Sequence, residues 1–371
     1  MSGDNTLFKD HLNADLVKTL AHKIQAVHTD FDATGFVETT TPALDALELK
    51  ARSEWIADQL RAHLPDDYPA AVAVLRQILM WDEAEAARFN GFALMPIAHF
   101  VEKYGHDHYD ASMQANYAIT QHFTAEFSVR PFIEAHPTRT LALLREWAHD
   151  DSEHVRRLVS EGTRPRLPWA AQLKGFIADP TPLLPLLDAL KDDPSQYVRR
   201  SVANNLNDIA KDHPQLVVDT LREWAVDAGK DRQWVIKHAL RTLIKQGDPG
   251  ALAILGYGSP QITLNDFTVT PAVIHMGEAV TLTFTLVSQA DEPQSLIIDY
   301  VLHFVKANGE TRPKVFKLTT RDLPAGASMT LSKTHTIKPI TTRTYYAGMH
   351  RLQIQVNGVA YGDAAFDLVL E

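Results

Sequence analysis

The stretch SEHVRRLVSEGTRPRLPW, residues 152–169, gathers Arg156, Arg157, Arg164 and Arg166 around Glu161 and ends in Trp169. Guanidiniums in such number suit phosphate oxygens, which their planar donors engage in pairs. A second stretch, VRRSVANNLNDIAKDHP at 198–214, carries the same Arg-Arg pair as Arg199 and Arg200. On a helix, Arg200, Asn204 and Asp208 fall on one stripe, while Val198, Val202, Leu206 and Ile209 form another face. Alignment sets Arg157 over Arg200 and Glu161 over Asn204. Lys237 and Arg241 hold the equivalent places in the looser copy DRQWVIKHALR. Cations and small polar groups in successive copies would suit a nucleic-acid backbone, with a carboxylate or two among them. The same spacings also describe surface i,i+4 ion pairs worth about a few tenths of a kcal/mol. Trp169, after Pro168, also reads as a core tryptophan. Spacing alone leaves both readings open.

The elements that must hold these residues follow from periodicity. Up to about residue 255 the apolar residues recur at helical spacing, as in LVKTLAHKIQAVH and LVVDTLREWAVDAG. His136-Pro137 and Leu-Arg-Glu-Trp at 144–147 both return 77 positions later, at 213 and 221. Val155, Val198 and Val235 mark three related segments 43 and 37 residues apart. That period predicts stacked helix pairs, an α-solenoid of HEAT-like repeats, with Trp147 and Trp224 in its core. After GYGSP the pattern alternates with period two, and Asn308-Gly309 and Asn357-Gly358 signal turns. About seven strands are expected, an immunoglobulin-like β-sandwich without its disulfide. The fold class is therefore α + β multidomain, with a solenoid over residues 1–258 and a sandwich over 259–371.

Composition narrows the chemistry. The 371 residues include no cysteine, which excludes disulfides, zinc-thiolate sites and thiol catalysis and suits a reducing cytoplasm. No segment reads as a signal peptide or membrane span. The formal charge is -10, unevenly spread. Residues 1–129 hold 9 basic and 19 acidic side chains, whereas residues 130–257 hold 18 and 17. A basic face in the middle third is compatible with the acidic total. The run GHDHYD at 105–110 has His-x-His spacing but no evident third ligand, so no metal site is expected. The run KPITTRTYY reads equally as a contact to a nucleic-acid backbone and as a strand edge protected by Lys and Arg. Serine-hydrolase, phosphate-loop and zinc-deaminase signatures are absent.

On these two stretches, together with WVIKHALRTLIKQGDPGAL, the sequence resembles the AlkC branch of the DNA alkylation repair glycosylases, relatives of the AlkD proteins. The likeness runs along essentially the whole chain, including a C-terminal immunoglobulin-like domain that AlkD proteins lack. It implies a monofunctional hydrolase releasing N-alkylated bases, chiefly N3-methyladenine and N3-methylcytosine, from duplex DNA. It further implies that the base is not flipped into a pocket. The family's functional residues fall on Glu126 in TAEFSVRP, on Glu161 and Trp169, and on Asp208 in NNLNDIAKDHP. A base methylated at N3 is cationic and already a good leaving group. Carboxylates would then stabilise positive charge developing on the deoxyribose and place a water, and an indole face would attract a cation. Expected DNA contacts are Arg156, Arg157, Arg164, Arg166, Arg199, Arg200, Asn204, Lys237 and Arg241. No cofactor is expected, and the partner would be alkylated double-stranded DNA, bound by a cytoplasmic, nucleoid-associated monomer. The sandwich is expected either to close the other side of the duplex and help bend it from the minor groove, or to serve stability or protein interaction. Non-catalytic DNA binding and protein binding by the solenoid are the competing readings.

Overall fold

The computed structural model describes residues 7–79 and 91–370. Helices run as far as Pro249–Ile254, and strands follow from Ile262–Thr270 onward. The chain divides into two compact units, Met1–Asp212 and His213–Glu371. The second unit therefore combines the last helices with the sandwich.

The repeat seen in the sequence is a repeat of local physics. Helices Glu153–Gly162 and Gln196–Ile209 pack against each other. Val155, Leu158 and Val159 on the first are buried, as are Val198, Val202, Leu206 and Ile209 on the second. Each helix begins with the same device. Asp150 Oδ1 accepts from the Ser152 N–H at 2.8 Å, and Asp193 Oδ1 accepts from the Ser195 N–H at 2.8 Å. Arg156 Nη1 then donates to the Asp150 and Asp151 carbonyls, and Arg199 Nη1 to those of Asp193 and Pro194. The first arginine of each Arg-Arg pair thus folds back over its own helix entrance, where the polar groups of the preceding loop need partners. Helices Pro137–Trp147 and Pro214–Ala225 share another entrance, with His136 and His213 at the N-cap and proline at N1. Proline's fixed φ suits that first position and its missing N–H costs nothing there. Trp147 and Trp224 are buried.

In the second unit, β1 (Ile262–Thr270), β3 (Ala279–Ser288) and β6 (Ser328–Thr336) form one sheet, ordered β1-β3-β6. The other is ordered β2-β8-β7-β4-β5, from β2 (Val273–His275), β4 (Gln294–Val305), β5 (Thr311–Leu323), β7 (Gly348–Val356) and β8 (Val359–Val369). Among the described residues there are eight strands where about seven were expected. The extra one, β2, is three residues long and pairs parallel to β8, too short to show alternation. The run KPITTRTYY is not a strand. It forms an isolated Ile340–Arg343 bridge, and the Arg343 guanidinium lies 3.7 Å from the Phe304 ring centre. That cation–π contact accounts for a basic residue beside aromatics.

Asn357 and Gly358 make a two-residue hairpin between Val356 and Val359, both at positive φ, 43° and 82°. This is the type I′ turn that matches strand twist. Gly358 touches Gly247, which ends helix Arg241–Gln246 at φ 78°, so closely that a Cβ on either would meet the other's backbone. Asn357 Nδ2 donates to the Gly258 carbonyl at 2.9 Å, and Gln355 Nε2 to that of Lys245 at 3.2 Å. The turn is therefore docked on the helical part of its own unit.

Candidate active site

Glu161 lies at the end of helix Glu153–Gly162, and Asp208 at the end of helix Gln196–Ile209. Arg164, in the loop after the first helix, bridges them. Its Nη1 donates to Glu161 Oε1 at 2.7 Å and its Nε to Asp208 Oδ2 at 2.8 Å. Burial opposes the charge of Arg164, but Glu161 and Asp208 outweigh it and raise its pKa, so it stays a guanidinium. The other carboxylate oxygens are also occupied. Ser201 Oγ donates to Glu161 Oε2 at 2.6 Å, backed by Ser160 Oγ donating to Ser201 at 2.7 Å. Lys211 Nζ donates to Asp208 Oδ1 at 2.8 Å.

Glu126 joins through Arg157. The Arg157 guanidinium is 2.6 Å from Glu126 Oε2 and 3.5 Å from Glu161 Oε1, and it lies 5.1 Å from the Tyr197 ring centre. Three predicted carboxylates thus belong to one chain of ion pairs, Glu126–Arg157–Glu161–Arg164–Asp208–Lys211. They were expected to act directly on a bound deoxyribose. Instead Glu161 is 6% exposed and Asp208 1%, because each carboxylate has drawn cations of its own chain onto itself. Burying unpaired charge would cost several kcal/mol, roughly, per ion.

Trp169 is the exposed member, at 70%. The expectation that it could be a core tryptophan is overturned. Its backbone sits at φ 66°, a left-handed conformation that is strained for a bulky residue. The loop before and after it is pinned on several sides. Arg166 pairs with Asp212 through two contacts of 2.8 and 2.7 Å. Arg130 donates to the carbonyls of Gly162, Arg164 and Ala171, and Lys50 Nζ to that of Trp169 at 2.6 Å. Burial lowers the pKa of Arg130 to about 10, which still leaves it cationic at neutral pH. Arg164 and Arg166 alternate along the loop and meet Asp208, in the last turn of its helix, and Asp212, in the turn just beyond it. That match answers why so many arginines crowd this segment. Beside Trp169 lies a cavity of about 560 Å³, walled in part by Phe92, Phe123, Phe127, Glu102 and Arg130. Burial raises the Glu102 pKa and lowers that of His99 in the same wall.

The expected DNA contacts separate into two groups. Arg156, Arg164, Arg166 and Arg199 were expected on phosphates but are held by intramolecular partners. Arg156 makes a two-point pair with the buried Asp193, at 2.6 and 3.1 Å, in addition to its carbonyl contacts. Arg156 and Arg199 clasp the loops before their helices, whose carbonyls need donors, while Arg164 is held by two carboxylates. Arg200 is exposed, Asn204 is half-buried beside it on the helix, and Arg157 lies within the carboxylate network. Lys237 is exposed and Arg241 donates to the His238 carbonyl at 2.6 Å, both in the second unit. Ser201, Tyr197, Arg130 and Lys211 were not singled out from the sequence. The one legible signal was the Asp208–Asp212 spacing opposite Arg164-x-Arg166.

Residues 56–243 match the family described as DNA alkylation repair enzyme, and residues 263–370 the C-terminal Ig-like domain of uncharacterised protein YhaZ. The uncharacterized protein YhaZ of Bacillus subtilis is 38% identical over 352 residues, covering 94% of this chain and 96% of the relative. The alkylpurine DNA glycosylase AlkC of Pseudomonas fluorescens, solved bound to DNA containing an abasic site analog, is 40% identical. It superposes with a TM-score of 0.89 over 98% of this chain and 100% of that one. Over essentially its whole length this chain follows the AlkC architecture, and it belongs to the DNA alkylation repair enzyme family.

Proposed function

We propose that the protein is a monofunctional DNA glycosylase that hydrolyses the N-glycosidic bond of cationic alkylated bases, N3-methyladenine and N3-methylcytosine, in duplex DNA. The observation that carries the reading is the single network joining Glu126, Glu161 and Asp208, next to a loop that holds Trp169 out into solvent. A base alkylated at N3 leaves without being protonated. The work left to the protein is to stabilise the oxocarbenium-like sugar and to place a water. Glu161 and Asp208, fixed by Arg164 and Ser201, supply negative charge whose orientation is set before the substrate arrives. Trp169 offers an aromatic face to a cationic sugar or base. Because the carboxylates act on the sugar, the base need not leave the stack. No amine nucleophile is called for, so strand cleavage does not follow.

Incubation with methylated duplex DNA, followed by assay for free methylated bases and abasic sites, tests the reading. Release of 3-methyladenine or 3-methylcytosine with intact strands is expected. The deep burial of both carboxylates favours a second reading, a non-catalytic DNA-binding protein. Tight duplex binding without base release would establish that reading instead.

A further inference from the structure

The charges of the carboxylate network, among the described residues, are Glu126, Glu161 and Asp208 against Arg157, Arg164 and Lys211. They cancel. A neutral network attracts a developing sugar cation less than one that has given up a cation, so a cation able to leave strengthens what the carboxylates do. The three differ in how they are held. The Arg164 side chain is 9% exposed and bonded to two carboxylates, and that of Arg157 is 15% exposed, bonded to Glu126 and stacked near Tyr197. Lys211 is 42% exposed and reaches Asp208 with a single ammonium contact. The neighbouring Arg166 pairs with Asp212 at 2.7 Å.

On the glycosylase reading above, we propose that duplex DNA strips Lys211 from Asp208: a backbone phosphate takes the ammonium, and the network is left with one net negative charge. That charge appears only in the complex and equals the single positive charge that forms on the deoxyribose. Asp208 keeps its bond to Arg164, so its orientation survives the exchange and the buried carboxylate is never without a cation. In the free protein the same lysine keeps the carboxylates from repelling phosphate during approach. Lys211 is thus both a DNA contact and the removable counterion of the site, and Arg164 is the permanent one.

The test uses the full chain and a duplex carrying a tetrahydrofuran abasic analogue, whose binding requires no chemistry. Lys211→Met should lower the slope of log affinity against log salt by about 0.9, the value for one lost phosphate contact on B-form DNA. Lys211→Arg, which keeps the charge and checks that the position tolerates change, should retain most of the slope. In a crystal structure of the wild-type complex, Lys211 Nζ should lie within hydrogen-bond distance of a phosphate oxygen and outside ion-pair distance of Asp208. An unchanged slope for Lys211→Met, or Nζ still on Asp208 with the duplex bound, overturns the proposal. Either result leaves the glycosylase reading standing. That reading fails separately, if the wild-type protein releases no base from methylated duplex.

Discussion

Arg164 stands between Glu161 and Asp208 and donates to both, at 2.7 and 2.8 Å. Two acidic side chains from successive repeats are thereby held as one unit. The orientation of either depends on a guanidinium supplied by the loop that also carries Trp169.

If those carboxylates stabilise the sugar cation, neutral isosteres should fail at the chemical step. Glu161→Gln and Asp208→Asn should each slow single-turnover base release by about 10²-fold or more, the range for one preorganised electrostatic group. Affinity for an abasic duplex should not fall appreciably. Excision near the wild-type rate in either variant would remove that carboxylate from the mechanism.

The paired arginines should separate by function. Arg157→Ala and Arg200→Ala should weaken binding to any duplex and flatten its salt dependence. Arg156→Ala should act on stability instead. It strands Asp193, whose side chain is 3% exposed, and removing one partner of such a pair costs about 3–5 kcal/mol. Denaturant unfolding and salt titrations on these three variants and the wild type would show whether the two effects part in this way.

Trp169 contributes little to the core at 70% exposure. Trp169→Ala should therefore change unfolding free energy by only about 0.5 kcal/mol, as exposed positions generally do. Excision should fall by about 10-fold, the equivalent of a cation–π contact in the 1–2 kcal/mol range. A fully active Trp169→Ala protein would return the indole to a passive surface role.

Asp299 on β4 gives the second unit a pH signature. Burial pushes its carboxyl up to about 6 from 3.8, with Lys317 and Lys245 opposing the shift. The folded state then binds the extra proton between those values, so stability falls as pH rises from about 4 to 6 and the loss is complete above that range. The full effect is at most about 3 kcal/mol, from 1.36 kcal/mol per pKa unit. Asp299→Asn should flatten that stretch of the stability profile and raise the unfolding midpoint at pH 7. A profile that does not respond to the substitution would mean Asp299 is ionised without penalty.

The Gly247–Gly358 contact should not tolerate a side chain. Gly358→Ala adds a methyl to a residue at φ 82° whose Cβ would run into the Gly247 backbone. Its strain alone is about 1–3 kcal/mol, and a thermal melt of the full chain should show the midpoint falling. An unchanged melt would mean the hairpin can lift away without cost.

By itself the sequence determined what depends on local order and on period. The 77-residue recurrence, the buried valines at 155, 198 and 235, and the turn at Asn357-Gly358 are all statements about neighbours along the chain. Helix faces and hairpins obey such neighbours directly. The resemblance to the alkylation repair glycosylases likewise rested on contiguous strings of residues. Only the tertiary structure decided which partners of their own chain the arginines take. Arg156 and Arg157 are adjacent and chemically identical, yet one closes a helix entrance and the other joins the carboxylate network. Their different partners, Asp193 and Glu126, come from distant segments that the spacing of the chain does not reveal. Lys211 differs, pairing with Asp208 only three residues before it in the chain. Its tie to Asp208 matters only because Arg164, brought from another repeat, has already occupied the other carboxylate oxygen. Charge compensation is a sum over everything within a few ångströms, and folding sets that sum.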